Sequence, residues 1–191
     1  MVFRTDPPYK PLLAETLAKA IEFAFLDING RPRCNFSSIQ VKWLRPPENW
    51  LKLNSDGSSL GNPGRVGGGG IIRNSHDEWV SGYARAIGTT TSVVAELWAL
   101  TDDLNLCISL NLQAMKIELD AKLVVELISK EESQLNSNDV IVADCREGLK
   151  KIPRVRVLHC YREANKCADA LARCCEILKY SQVYEPYRSI V

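Results

Sequence analysis

Much that would narrow the role of this chain is missing from its sequence. Its formal net charge is +1 over 191 residues, so no global field draws it to nucleic acid or to an anionic membrane. A polyanion would have to be held by local patches or by metal. No Cys-x-x-Cys occurs among the seven cysteines, and two of them, Cys174 and Cys175, are adjacent. An odd count without paired spacing builds neither a zinc site nor a disulfide framework. Reduced thiols in an intracellular compartment are the expectation. No apolar run approaches the length of a membrane span. The N-terminus has early acids and prolines and no signal-peptide core. Low-complexity tracts, like-charge blocks and convincing repeats are also absent. What is present is ordinary for a folded domain: 46% hydrophobic and 25% charged residues, enough for one core with an extension.

Residues 12 to 27 carry Leu12, Leu13, Leu17, Ala20, Ile21, Phe23, Ala24 and Phe25 at helical spacing, and Asn29-Gly30 stops the run. Residues 29 to 48 are polar and end in Arg45-Pro46-Pro47, which reads as a linker. From 49 to 56, Leu51 and Leu53 alternate with Lys52 and Asn54, a half-buried strand that carries Asp56 at its end. Gly61-Asn62-Pro63-Gly64 is turn punctuation. The segment 66 to 73 reads as a second strand loaded with glycine, a sign that another backbone or a ligand comes close. A third strand is expected from Glu78 to Ala86.

Caps at Gly88-Thr89-Thr90-Thr91-Ser92 precede a helix from Val93 to about Leu110, striped by Val93, Leu97, Leu100, Leu104 and Ile108. Met115, Ile117 and Leu119 form a fourth strand ending at Asp120. Helices follow at 123 to 129 and 139 to 151, then a fifth strand at 155 to 159 and a last helix at 164 to 178. The tail from Tyr180 reads as irregular. The order βββ-α-β-α-α-β-α predicts an α/β fold with a five-stranded mixed sheet, an antiparallel meander followed by parallel strands, and helices on both faces. Three regions are expected: an extension at 1–42, the domain at 43–178 and a tail at 179–191.

Four acids stand in odd places. Asp56 is on a strand beside glycines. Glu96 lies beside the apolar stripe of its helix, where a carboxylate is costly unless paired, solvated in a cleft or bound to a cation. Asp120 ends the fourth strand, and parallel strands present ligand sites at their carboxyl ends. Asp169 opens the last helix among small apolar neighbours, with the helix N-terminus favouring its charge. Singly, each has an ordinary role: a hairpin residue, a solvated flank, a cap, a dipole partner. Together they look like one cluster, and carboxylates sharing a small volume need a cation. Magnesium, with its hard oxygen ligands, is the natural partner.

At this point the motifs resemble a known family. Leu53-Asn54-Ser55-Asp56-Gly57-Ser58, Gly61-Asn62-Pro63-Gly64, Ala95-Glu96-Leu97-Trp98-Ala99-Leu100, Glu118-Leu119-Asp120, and His159 through Arg162-Glu163-Ala164-Asn165-Lys166-Cys167-Ala168-Asp169 resemble type 1 ribonuclease H domains of the plant retroelement-related group. The resemblance covers about residues 43 to 178. It implies the ribonuclease H-like fold, and Asp56, Glu96, Asp120 and Asp169 as catalytic ligands of two metal ions, Mg2+ or in its place Mn2+. It also implies hydrolysis of the RNA strand of an RNA–DNA hybrid. His159, ten residues before Asp169, matches a family histidine that assists proton transfer or product release; a satisfied strand-end residue is the equal alternative. Gly57, Ser58, Asn62, Gly64, Arg162 and Asn165 are the expected nucleic-acid contacts. Asn62 is also at home as a turn residue and Asn165 as a helix N-cap.

The chain departs from its relatives in two respects. Ala121 follows Asp120 where serine is common. No basic, tryptophan-bearing protrusion like that of some bacterial relatives follows residue 129. Lys150, Lys151, Arg154 and Arg156 form only a modest basic group. These absences keep open a second expectation, a non-catalytic nucleic-acid-binding or protein-interaction domain that retains the fold. The complete acid set favours the nuclease. A reducing compartment, nuclear or cytoplasmic, is expected, with no membrane partner.

Overall fold

The computed structural model describes residues 40–130, 140–178 and 182–184. The expected helix at 12 to 27 lies outside them. β1 (Leu51–Gly61), β2 (Gly64–Arg73) and β3 (Trp79–Thr90) form an antiparallel meander. After α1 (Ser92–Ser109), β4 (Ala114–Leu119) returns parallel to β1. Helices α2 (Lys122–Ser129) and α3 (Val140–Lys150) lead to β5 (Arg154–His159), parallel to β4, and α4 (Lys166–Leu178) follows. The element order is the one expected from sequence, and five strands and their directions match.

Beyond β3, which runs on to Thr90 through residues read as caps, two features differ from the sequence reading. The tail, expected to be irregular, contributes a sixth strand, β6 (Gln182–Tyr184), antiparallel to β3, so the sheet order is β5-β4-β1-β2-β3-β6. Three residues are too few for a period-two signal, and the exposed hydrogen-bonding edge of β3 supplies the template. The second difference is in β1. Asp56 does not end the strand, because the β1–β2 hairpin continues to Gly61 and Gly64. Asp56 lies instead one residue beyond the stretch of β1 in register with β4, which stops at Ser55 opposite Leu119. The ladder on that side ends where the acid begins.

The glycines of β2 allow helices to lie close on both faces of the sheet. Gly68 and Gly70 face α1, at Ala99 and Asp103, while Gly69 faces α4, where a Cβ would stand 2.5 Å from the Ala172 amide nitrogen. Alternate residues point to opposite faces, so α1 and α4 sandwich the sheet. The expected close approach is thus by backbone. The core lies under α1, where Leu53, Ile72, Leu100, Leu104, Met115, Ile117 and Leu119 are fully or almost fully buried. Thr91 caps α1, its hydroxyl accepting from the Val94 amide at 3.4 Å. Among the described residues no helix is long and apolar enough to cross a membrane.

Candidate active site

β1 carries Asp56 to the α4 face, in register with Gly69. The side chain is buried, and neither carboxylate oxygen accepts a hydrogen bond from a described donor. Glu96 is in the first turns of α1, where its Oε2 accepts from the Gly57 amide at 3.0 Å. That approach requires glycine, because any Cβ at 57 would overlap the backbone of Ala95 and Glu96. Asp120 follows β4 directly. One oxygen each from Asp56, Glu96 and Asp120 lie within 4.8 Å of one another. Three elements distant in sequence therefore bring three carboxylates to one point.

Such a cluster resists ionisation. Burial first, then the charges of Asp120 and Asp169, push the Asp56 carboxyl up to about 8. Burial likewise lifts Glu96 well above the usual carboxylate range, helped by Asp56 and Asp120 and opposed by the Gly57 hydrogen bond. Asp169 stands outside the close triad. Its oxygens are held by Arg162 Nη2 and by Arg173 Nε, each at 3.1 Å. Arg162 also reaches Asp120 at 3.7 Å. The donor set suits a hard divalent cation: all-oxygen, negatively charged and short of hydrogen-bond donors at Asp56.

Beside the acids opens a groove of about 540 Å³, lined by Gly57, Ser58, Ser59, Leu60, Ser92, Glu96, Arg162 and Arg173. It gathers three of the expected nucleic-acid contacts, Gly57, Ser58 and Arg162. Asn62 lies nearby in the β1–β2 turn, where its Oδ1 accepts from the Ser92 amide at 3.3 Å. Gly64 only closes the hairpin opposite Gly61 and is not part of the groove lining. Asn165 departs from expectation more sharply. It is fully buried, and its amide is spent on the Ser55 carbonyl at 2.9 Å and on Asp120 at 3.5 Å. His159 is exposed at the end of β5, in register with Leu119, with its ring edge-on to Tyr161 at 5.8 Å. Sequence reasoning overlooked Arg173. Its helical i,i+4 spacing from Asp169 was the available signal.

Residues 54–175 match the family model described as reverse transcriptase-like. A provisionally named ribonuclease H protein of Arabidopsis thaliana is 33% identical over 132 residues, 69% of this chain but 21% of that protein, so the chain spans about a fifth of its relative. The N-terminal RNase H domain of a Mycobacterium tuberculosis protein, solved as a maltose-binding-protein fusion, is 26% identical with a TM-score of 0.61; the match covers 66% of this chain and 93% of that one. An RNase H1 named LC11, isolated from compost and solved with an RNA/DNA hybrid, shares the fold at 23% identity and a TM-score of 0.58, over 64% of this chain and 94% of its own.

Proposed function

The chain belongs to the reverse transcriptase-like family with the ribonuclease H fold, and from that premise we propose that it is a metal-dependent endonuclease cutting the RNA strand of RNA–DNA hybrids. The observation that carries this is the convergence of one oxygen each from Asp56, Glu96 and Asp120 within 4.8 Å, with both Asp56 oxygens lacking donors among the described residues. The LC11 enzyme, which has this fold, was solved holding an RNA/DNA hybrid. Free thiols among the described cysteines and a nucleic-acid substrate fit a reducing compartment, nuclear or cytoplasmic.

Asp56, Glu96 and Asp120 would hold Mg2+ or Mn2+, with Asp169 completing a two-ion set. When bound, the ions supply an activated water and charge stabilisation at the scissile phosphate. The protein's own groups do the rest. Gly57 orients Glu96 by fixing Oε2. Arg162 and Arg173 line the groove and place two guanidinium groups where a phosphodiester enters, with planar donors suited to its oxygens. The exposed His159 imidazole, in register with the last residue of β4, would be the group that passes a proton to the leaving 3′ oxygen.

A second reading is favoured by one observation. Arg162 already neutralises Asp120 and Asp169 without metal, as a binding domain that keeps its acids for structure would require. Cleavage of an end-labelled RNA–DNA hybrid in Mg2+ or Mn2+, wild type against Asp120→Asn, decides between them. The expected result is RNA-strand cleavage that the variant loses. Binding without cleavage at saturating metal and low salt would establish the second reading instead.

A further inference from the structure

Ser55 is where three elements meet behind the acids. It is the last β1 residue in register with β4, opposite Leu119. Where the ladder would continue, its carbonyl accepts from Asn165 Nδ2 at 2.9 Å. Asn165 has no exposure, stands just before α4, and directs the same nitrogen at Asp120 Oδ1, 3.5 Å away.

A buried side-chain amide that donates both to the last paired residue of β1 and to the acid after β4 ties the two strand ends together. We propose that Asn165 is a positioning residue that clamps the Ser55 carbonyl and so fixes the neighbouring Asp56 relative to Asp120. The function given to the clamp rests on reading the acids as a metal site; the clamp itself does not. Outer-shell partners of this kind set the orientation of first-shell ligands, and their loss costs about 10–100-fold in metal affinity or activity.

The test uses the full chain with Asn165→Ala and the near-isosteric Asn165→Leu, both lacking the amide donor, and thermal melts identify the variants that fold. Three readouts follow: amide hydrogen exchange at residues 55 to 57, Mn2+ affinity by calorimetry without substrate, and kcat and KM on a hybrid. Both variants are expected to speed exchange at 55 to 57 while β3 amides keep their protection. They should weaken Mn2+ roughly tenfold or more and lower kcat with KM unchanged. Should Asn165→Ala not fold, Asn165→Leu carries the test. Unchanged exchange in a folded variant overturns the clamp, as does a raised KM with Mn2+ affinity unchanged, which would make Asn165 a substrate contact. Faster exchange in a chain whose wild type binds no Mn2+ upholds the clamp and removes the metal-site reading instead.

Discussion

The same two strands, β1 and β4, carry two buried charge clusters, and the two are built on opposite principles. Near the start of β1, Lys52, only 1% exposed, pairs with Glu118 of β4 at 2.6 Å, donates to the Leu44 carbonyl at 2.7 Å and lies against Trp43. Lys116 pairs with the same Glu118 at 3.0 Å. The signs are mixed and the donors are matched, so the cluster closes on itself. Four residues further along β1, Asp56 meets Glu96 and Asp120: the three converging groups share one sign, Arg162 reaches the cluster only at Asp120, from 3.7 Å, and Asp56 has no donor among the described residues. A cluster in which opposite charges meet directly is a structural element. A like-charged one is stable only with protons or with a cation from outside. The difference separates scaffold from site on a single pair of strands.

The sharpest break of that contrast is a change at the second cluster. Asp120→Asn should abolish hybrid cleavage, by more than the about 100-fold that loss of an outer-shell partner costs, while leaving the melting temperature in chelator unchanged or higher. Single-turnover cleavage and thermal melts measure the two. A cleaving variant would remove Asp120 from the chemistry. At the first cluster the pattern should invert. Glu118→Gln leaves the buried Lys52 ammonium without its carboxylate, a loss of about 3–5 kcal/mol for breaking a buried pair. Urea denaturation reads that directly, and cleavage per folded molecule should not move. A variant as stable as wild type would show that the Leu44 carbonyl and Trp43 suffice for Lys52.

The two clusters were not equally legible. Asp56, Glu96 and Asp120 could be read because each broke a local rule: an acid beside glycines, an acid by an apolar stripe, an acid at a strand end. Asp169 was legible as a candidate and Arg162 as a nucleic-acid contact, but their pairing with each other was not, since it depends on side-chain reach; the Asp169–Arg173 pair had only its i,i+4 spacing as a signal. The Lys52–Glu118 pair gave no signal, because alternating lysines and acids on a strand also describe a solvated face. Only the β1–β4 register and the segment around Trp43 bury them. Asp103 sits beside Asp102 in a helix, and sequence cannot say which of two adjacent acids turns inward. Asn165 was read as a nucleic-acid contact or a cap. Its burial depends on where β1 and β4 part, which is tertiary information. The order of the sheet followed from periodicity and turn residues, while β6 depended on an edge that only the folded meander presents.

A smaller effect tests how the sheet is brought to the site. Gly69→Ala places a methyl 2.5 Å from the Ala172 amide nitrogen, and overpacking of this kind costs about 1–3 kcal/mol. Because α4 carries Asp169, the shift should also lower cleavage, whereas the exposed Gly88, with open space about it, should take alanine at a cost confined to its positive φ of 128°. Urea midpoints and cleavage rates for the pair measure this. Equal loss at both positions would mean that helix approach does not set the site.

The smallest effect distinguishes the clusters through pH. The Asp56 carboxyl is pushed up to about 8 by burial and by Asp120 and Asp169, from roughly 4 in an unfolded chain. Between those values the folded state binds more protons than the unfolded one, so stability falls as pH rises. The contribution is full below the unfolded value and is lost as pH passes through about 8. In chelator the melting temperature should therefore drop by a few degrees from pH 6 to pH 8, about 1 kcal/mol corresponding to roughly 2–4 °C in a domain of this size. A divalent cation replaces the protons, so the rise in melting temperature on adding Mg2+ should be larger at pH 8 than at pH 6. Asp56→Asn should flatten the slope in chelator and reduce the Mg2+ shift, because it removes the charge that both proton and cation compensate. Glu118→Gln, though less stable throughout, should keep both. A chelator-treated wild type whose melting temperature rises from pH 6 to pH 8 would mean that Asp56 is already compensated within the protein, as Lys52 is, and the two clusters would then be of one kind.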